Sequence, residues 1–253
     1  MAPVNECLIL AAGNGIRIGS LSGCSPKPLV PLFGAPLLEH IVLSSQAAGI
    51  ERFVIVVGHR ADAIRHWLAK QSLGHISITV IENSEYHKAN GVSALAAREA
   101  LRNPFLLLMG DHIFEPATVR ALLRQPIAAD EVILGVDYNI DRIFDLDDAT
   151  KVKVEGNDII DIGKDLIHYD ALDTGMFLCS PMLFERLESV KKNGDCALSD
   201  GMRRLGQERK LKAFDIGDGR WQDVDTPEAF AYTEGIFARE FCESPILQRL
   251  IHA

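Results

Sequence analysis

The sequence predicts an α/β fold: a doubly wound, mostly parallel sheet with a small mixed β extension. Two observations carry this expectation. Over roughly the first 130 residues, short apolar β-rich runs alternate with amphipathic stretches, the pattern of strands joined by crossover helices. After about residue 131 the runs are separated instead by Gly, Asn and Asp, as in sheets whose strands turn back on themselves.

The expected strands are Cys7–Leu10, Phe53–Val57, Ile76–Ile81 and Phe105–Met109. Between them the spacing predicts helices over Pro36–Ala48, Ala61–Lys70, Val92–Leu101 and Pro116–Leu123. The first has proline near its start and Gly49 as a stop, the usual asymmetry of helix ends. Further runs at Glu131–Val136, Lys151–Val154, Ile159–Ile162 and Asp173–Leu178 form the extension, and Leu211–Asp215 is a last strand before a helical tail at Pro227–Phe241. With no repeat, low-complexity segment or linker, residues 1–253 read as one domain. Its halves, about 1–130 and 131–226, carry one substrate each, with 227–253 as the tail.

Composition excludes several functions. A net charge of −9 over 253 residues argues against a nucleic-acid surface, which needs clustered Lys and Arg. Any phosphate must be held locally. The five cysteines, Cys7, Cys24, Cys179, Cys196 and Cys242, are scattered and odd in number, so they read as reduced thiols of a cytoplasmic protein rather than a zinc site. No apolar run approaches the roughly 20 residues of a membrane helix, and no export signal opens the chain.

In Leu8-Ile-Leu-Ala-Ala-Gly-Asn-Gly-Ile-Arg17 a buried strand runs into small residues, two glycines and an arginine. Without Cβ atoms in the way, successive N–H groups can cradle anionic oxygens, and Arg17 adds a charged fork. A tight turn without ligand would use the same glycines. Downstream, Ser25-Pro-Lys-Pro-Leu-Val-Pro-Leu holds Lys27 between prolines that stiffen an otherwise exposed loop. Gly13, Gly15 and Gly19 do not space as a dinucleotide fingerprint, and no Gly-Lys-Ser/Thr ending marks a P-loop.

Two separated acids suit one metal ion. Phe105-Leu-Leu-Leu-Met-Gly-Asp111 ends a buried strand in a carboxylate, at the sheet edge where α/β proteins bind ligands. Trp221-Gln-Asp-Val-Asp225-Thr-Pro offers Asp223 and Asp225 just before a helix. Mg²⁺ takes hard oxygen ligands, usually one or two protein carboxylates with phosphates and water. Asp111 and Asp225 are the expected ligands, with Asp223 as a helper; the competing reading makes Asp225 only a helix cap.

Leu10-Ala-Ala-Gly-x-Gly-x-Arg17 followed by Pro26-Lys-Pro-Leu resembles the signature of the nucleotidyltransferase superfamily that activates sugar phosphates and related alcohols, a Rossmann-like, GT-A-like fold. Lys88-Ala-Asn-Gly-Val-Ser, Met109-Gly-Asp-His-Ile-Phe, Ala149-Thr-Lys-Val-Lys-Val, Ile162-Gly-Lys-Asp-Leu, Leu172-Asp-Thr-Gly-Met and Gln222-Asp-Val-Asp-Thr follow in one order. Together they are similar to CTP:inositol-1-phosphate cytidylyltransferases, which activate L-myo-inositol 1-phosphate to CDP-inositol. The resemblance implies that Leu10, Ala11, Ala12, Gly13, Asn14, Gly15 and Arg17 hold the nucleotide, while Lys27 meets its α-phosphate. It implies a nucleobase loop containing Glu82, Asn83, Asn90, Gly91 and Ser93. For the acceptor it implies Lys164 on the phosphate, Asp173, Thr174 and Gly175 near the ring, and His112 and Lys151 alongside. Read locally, Asn90 is equally good as a helix N-cap and Lys164 as a solvated loop lysine.

The resemblance further implies Mg²⁺, catalytic roles for Arg17, Lys27, Asp111 and Asp225, and a homodimer. Relatives often carry a membrane-embedded CDP-alcohol phosphotransferase domain, of which these 253 residues show no span; Glu243-Ser-Pro-Ile-Leu-Gln-Arg-Leu reads as a helical stump before one, and such a partner is expected either fused or separate. Open alternatives are a sugar 1-phosphate with UTP or dTTP, phosphocholine or a phosphonate with CTP, and a regulatory nucleotide-binding module without turnover.

Overall fold

The computed structural model describes residues 3–18, 25–71 and 73–241, with a nine-stranded sheet as their framework. In chain order the first half contains β1 (Glu6–Ala11), β2 (Pro31–Leu32), β3 (Ala35–Pro36), α1 (Leu37–Ala48), β4 (Arg52–Val57), α2 (Ala61–Leu68), β5 (Ser77–Glu82) and α3 (Asn90–Ala96). β6 (Phe105–Met109), β7 (His112–Phe114), α4 (Pro116–Leu123), β8 (Val132–Asp137), β9 (Lys151–Glu155), β10 (Asp158–Gly163) and β11 (Ala171–Cys179) follow. α5 (Met182–Val190), α6 (Leu198–Gln207), β12 (Leu211–Asp215), β13 (Trp221–Asp223) and α7 (Pro227–Phe241) complete it.

The sheet order is β5-β4-β1-β6-β11-β8-β12-β10-β9. β5, β4, β1 and β6 run parallel, as the alternating pattern requires. β11 then enters antiparallel between β6 and β8, β12 lies parallel to β8, and β10 and β9 turn back antiparallel. The parallel half and the mixed extension are both present, but the extension is a continuation of the same sheet and supplies five of its nine strands.

Both faces of the central strands are covered, which is why they read as unbroken apolar runs. Cys7, Ile9, Phe53, Ile55, Leu106 and Leu108 pack with Leu38 and Ile41 of α1, Ile64 of α2 and Leu122 of α4. Leu8, Leu10, Val54, Phe105 and Leu107 face the other way, against Val92 of α3, Leu183, Phe184 and Leu187 of α5, and Met202 and Leu205 of α6.

Six of these elements were absent from the sequence reading: the two-residue strands β2 and β3, and β7, β13, α5 and α6. In α6 the signal was masked by Gly201 and Gly206, which lower helix propensity but are needed for packing. A β-carbon at Gly201 would come within 2.7 Å of Leu187 Cδ2, and one at Gly206 within 2.9 Å of the Ile159 carbonyl. α5 was legible from Leu183, Phe184, Leu187 and Val190, a helical spacing. α3 begins at Asn90 and stops at Ala96, so the expected Val92–Leu101 helix is shifted and shortened.

Cys7, Cys179 and Cys196 are free and buried. Cys24, Cys242 and the stretch from Glu243 lie outside the described residues. Within those residues no helix is long and apolar enough to cross a membrane.

Candidate active site

The topology explains how the distant motifs meet. β1 and β6 are parallel neighbours, so the loop after Ala11 and the Gly110-Asp111 turn leave the sheet side by side. Gly110 is required there, since a β-carbon would lie 2.5 Å from the Leu10 carbonyl. β7 and β13 form a separate antiparallel ribbon that sets Asp223 opposite His112. The Val224 N–H then donates to the Asp111 carbonyl at 2.9 Å. Asp225 does not cap the following helix: Thr226 Oγ1 accepts the Ala229 N–H at 3.0 Å, leaving Asp225, only 5% exposed, to pair with Arg17.

Two adjoining cavities result. One, about 240 Å³, is bounded by Leu10, Ala11, Ala12, Gly13, Asn14, Gly15, Lys27 and Ser93. The other, about 350 Å³, is bounded by His112, Asp148, Lys164, Asp173, Gly175 and Trp221, among others. Arg17, Asn90, Met109, Asp111 and Asp225 line both.

At this shared wall Lys27 Nζ donates to Asp111 Oδ2 at 2.6 Å, and the His112 Nδ1 contact to Asp111 Oδ1 is 2.8 Å. The His112 ring is held by stacking on Trp221, centroids 5.8 Å apart, and by Gly175, whose missing β-carbon would meet it at 2.7 Å. Burial pushes the Asp111 carboxyl upward, but Lys27 and His112 outweigh it and hold the group well below the usual carboxylate range. Burial would lower His112, yet Asp223 and Asp111 raise it to about 8. Asp223 is pushed up to about 6 by burial and by Asp111, against the pull of His112.

The donor set fits a hard divalent cation. Asp111, His112 and Asp223 bring ligand atoms within 4.8 Å of one another, and so do Asp148, Asp223 and Asp225. Asp223 Oδ1 is buried without a hydrogen bond, with Lys27 and His112 no closer than 3.9 and 3.8 Å. Such an orphaned oxygen is costly unless a cation meets it. Asp223, expected only to assist, is thus the acid common to both clusters.

Several of the expected site residues are held in contacts within the protein. Glu82 lies outside both cavities and pairs with Arg65 at 2.7 Å. Asn83 is buried in structural bonds, donating to Ser93 Oγ and accepting the Glu85 N–H. Gly91 serves backbone packing, since a β-carbon would sit 2.6 Å from the Cys196 carbonyl. Asn90 is not the N-cap of its own helix, where Ala89 takes that position; its Oδ1 accepts the Leu198 N–H at 2.8 Å and so caps α6 instead. Thr174 points to the opposite side of β11 from Asp173 and Gly175, its hydroxyl donating to the Gly135 carbonyl at 2.7 Å. Lys151 binds the backbone carbonyls of Asp147 and Lys164, bracing a loop rather than lining a cavity.

The sequence reading missed Asp148, which bonds both Arg17 and Lys164, and the wall formed by Leu198, Ser199 and Met202 of α6. The acidic pair Asp147-Asp148 ahead of Ala149-Thr was its available signal.

Asp173 yields a stability test. Burial raises its carboxyl to about 6, against the Gly175 N–H and His112. A folded value above the unfolded one means that stability is lost as pH rises from about 4 through about 6. Asp173→Asn should therefore raise stability by on the order of 2 kcal/mol at pH 7.5, and the gain should vanish near pH 4. Thermal melts at both pH values check this; a destabilised variant at pH 7.5 would contradict it.

Comparison with known proteins agrees with the geometry. The bifunctional IPC transferase and DIPP synthase of Rubrobacter xylanophilus is 36% identical over 228 residues, 89% of this chain and 50% of that protein. The CMP-5'-(3-aminopropyl)phosphonate synthase of Streptomyces rubellomurinus is 32% identical over 239 residues, 88% of this chain and 37% of that one. The chain spans about half the length, or less, of the curated relatives it matches. The solved inositol-1-phosphate CTP transferase from T. maritima superposes with a TM-score of 0.79 at 26% identity, covering 92% of this chain and 97% of that one. Residues 7–210 match the family model for the MobA-like NTP transferase domain, and the chain belongs to that family.

Proposed function

We propose that the chain transfers a cytidylyl group from CTP to inositol 1-phosphate, giving CDP-inositol and pyrophosphate. The observation that carries this reading is the pair of cavities meeting at Arg17, Asp111 and Asp225. CTP occupies the smaller one, its phosphates along the bare loop 12–15. Inositol 1-phosphate occupies the larger one, whose polar lining of Asn90, Asp173 and Ser199 suits a polyol ring. An acceptor phosphate oxygen attacks the α-phosphorus in line, the bond to the β-phosphate oxygen breaks, and pyrophosphate leaves. The residues position both phosphates and balance charge; no covalent intermediate on the protein is needed.

Lys27, buried and fixed by its flanking prolines, meets the α-phosphate, and Arg17 takes further phosphate oxygens. Asp111, Asp223 and Asp225 would hold Mg²⁺, which supplies Lewis-acid polarisation of the phosphate under attack. Without substrate the same acids are neutralised by Lys27 and Arg17, so binding exchanges carboxylate partners for phosphates. We further propose that the enzyme works in the cytoplasm as a homodimer, beside a membrane-embedded CDP-alcohol phosphotransferase. The bifunctional character of its relatives supports that last point.

A second reading, a phosphonate acceptor with CTP, is favoured by the likeness to the Streptomyces phosphonate synthase. Pyrophosphate release across CTP, UTP and dTTP, each with inositol 1-phosphate, glucose 1-phosphate, phosphocholine and 2-aminoethylphosphonate, separates the readings. CTP with inositol 1-phosphate should give the highest kcat/KM; a higher value for another pair overturns the assignment. Lys164→Ala should raise the KM for inositol 1-phosphate about ten-fold while moving that for CTP less than two-fold. Equal effects on both would remove Lys164 from the acceptor site.

A further inference from the structure

Arg17 and Lys164 come from opposite halves of the chain, one from the loop after β1 and the other from the end of β10, yet they converge on one carboxylate. Asp148 Oδ2 accepts from Arg17 at 2.5 Å and Asp148 Oδ1 from Lys164 Nζ at 2.6 Å. All three side chains line the larger cavity. Two cations drawn to the two oxygens of one carboxylate are close enough to bind two oxygens of one phosphate. Asp148 itself stands on the loop between β8 and β9, separated from β9 by Ala149 and Thr150 and outside the sheet.

The exposures separate this cluster from the rest of the site. Arg17 and Lys164 are 55% and 53% exposed and Asp148 34%, whereas Lys27, paired with Asp111, is 10% exposed. Open ion pairs of the first kind contribute no more than about 1 kcal/mol each, so an arriving dianion can displace them.

We propose that Asp148 occupies the acceptor-phosphate subsite of the substrate-free enzyme, and that Arg17 and Lys164 together take the phosphate monoester dianion when the carboxylate withdraws. This deepens, and rests on, the cytidylyl-transfer reading. It gives Arg17 a second task, since the same guanidinium touches Asp225 and can span the nucleotide and acceptor phosphates that must meet. Asp148 is then a positioning residue that competes with substrate, and its removal should tighten phosphate binding where loss of a supporting residue would weaken it.

The test is calorimetric titration of the full chain with inorganic phosphate in EDTA, which removes any metal contribution. Asp148→Asn should lower the Kd about five-fold. Asp145→Asn, which removes another acid lining the same cavity, should change it less than two-fold. Lys164→Ala should weaken binding, and adding Asp148→Asn to it should recover little. Asp148→Ser serves as a second variant should the Asn form melt early, with the same five-fold gain expected. Unchanged or weaker phosphate binding in both Asp148 variants overturns the proposal, and so does an equal gain in Asp145→Asn, which would be a general charge effect. Wild-type pyrophosphate release from CTP with inositol 1-phosphate and Mg²⁺, measured in parallel, keeps the two readings apart. If it is present while the Asp148 variants bind no better, only the subsite assignment falls; if it is absent, the transfer reading falls and the titration still decides whether Asp148 blocks a phosphate site.

Discussion

Asp111→Asn and Asp225→Asn should each lower kcat by about two orders of magnitude or more, the few kcal/mol assigned to one well-placed electrostatic element in a transition state. Both changes keep the size and remove the charge. Asp111 is 27% exposed at the cavity wall, so its replacement should leave the fold intact. Asp225 is buried, but its partner Arg17 retains Asp148, which limits the structural cost. Asn serves as well as Asp in a helix cap, and here Thr226 does the capping in any case. A cap-only role therefore predicts near-normal turnover for the Asp225 variant, and a carboxylate role predicts the large loss. Melting curves beside steady-state kinetics at saturating substrate and Mg²⁺ separate the two.

Lys27→Met should cut kcat by about a hundred-fold or more, with a smaller rise in the KM for CTP, since the ammonium acts where charge builds on the phosphorus. It should also destabilise the protein at pH 8, by roughly 2 kcal/mol, because Asp111 loses the cation that holds its carboxyl low and is left charged and half-buried. The sign with pH follows from that loss. Without Lys27 the folded Asp111 carboxyl moves up, so the penalty is present at pH 8 and fades as the group protonates on acidification. Mg²⁺ should raise the melting temperature of the variant more than that of the native protein, by supplying a cation to the same acids. Unchanged kcat, or a penalty that grows toward low pH, would contradict the role given to Lys27.

What the sequence disclosed was mostly local. The bare loop after β1 and the acid after β6 each sit at the end of one strand, Lys27 opens a short proline-held turn ahead of β2, and each was readable from neighbours within a few residues. The union of Asp111 with Asp223 and Asp225 depends instead on the β7–β13 ribbon, two three-residue strands from distant parts of the chain that no periodicity could reveal. Asp148 was hidden for a similar reason: its importance lies in partners 131 and 16 residues away. Other errors were avoidable. Neighbouring residues of a strand face opposite sides, so Asp173, Thr174 and Gly175 could not all turn to one pocket. Gly91 shows that a glycine required for close approach can be meeting the protein's own backbone instead of a ligand. Glu82 ends an edge strand, where Arg65 of α2 was within reach on the outer flank.

The central claim is that Asp111, Asp223 and Asp225 serve a metal-assisted attack of an acceptor phosphate on a nucleotide α-phosphorus between the two cavities. Pyrophosphate release from CTP, followed with and without inositol 1-phosphate and in Mg²⁺ against EDTA, tests it most directly. Release that requires acceptor and metal together, and yields CDP-inositol in equal amount, is the predicted result. Release undiminished in EDTA, or no release with any acceptor in Mg²⁺, would contradict it.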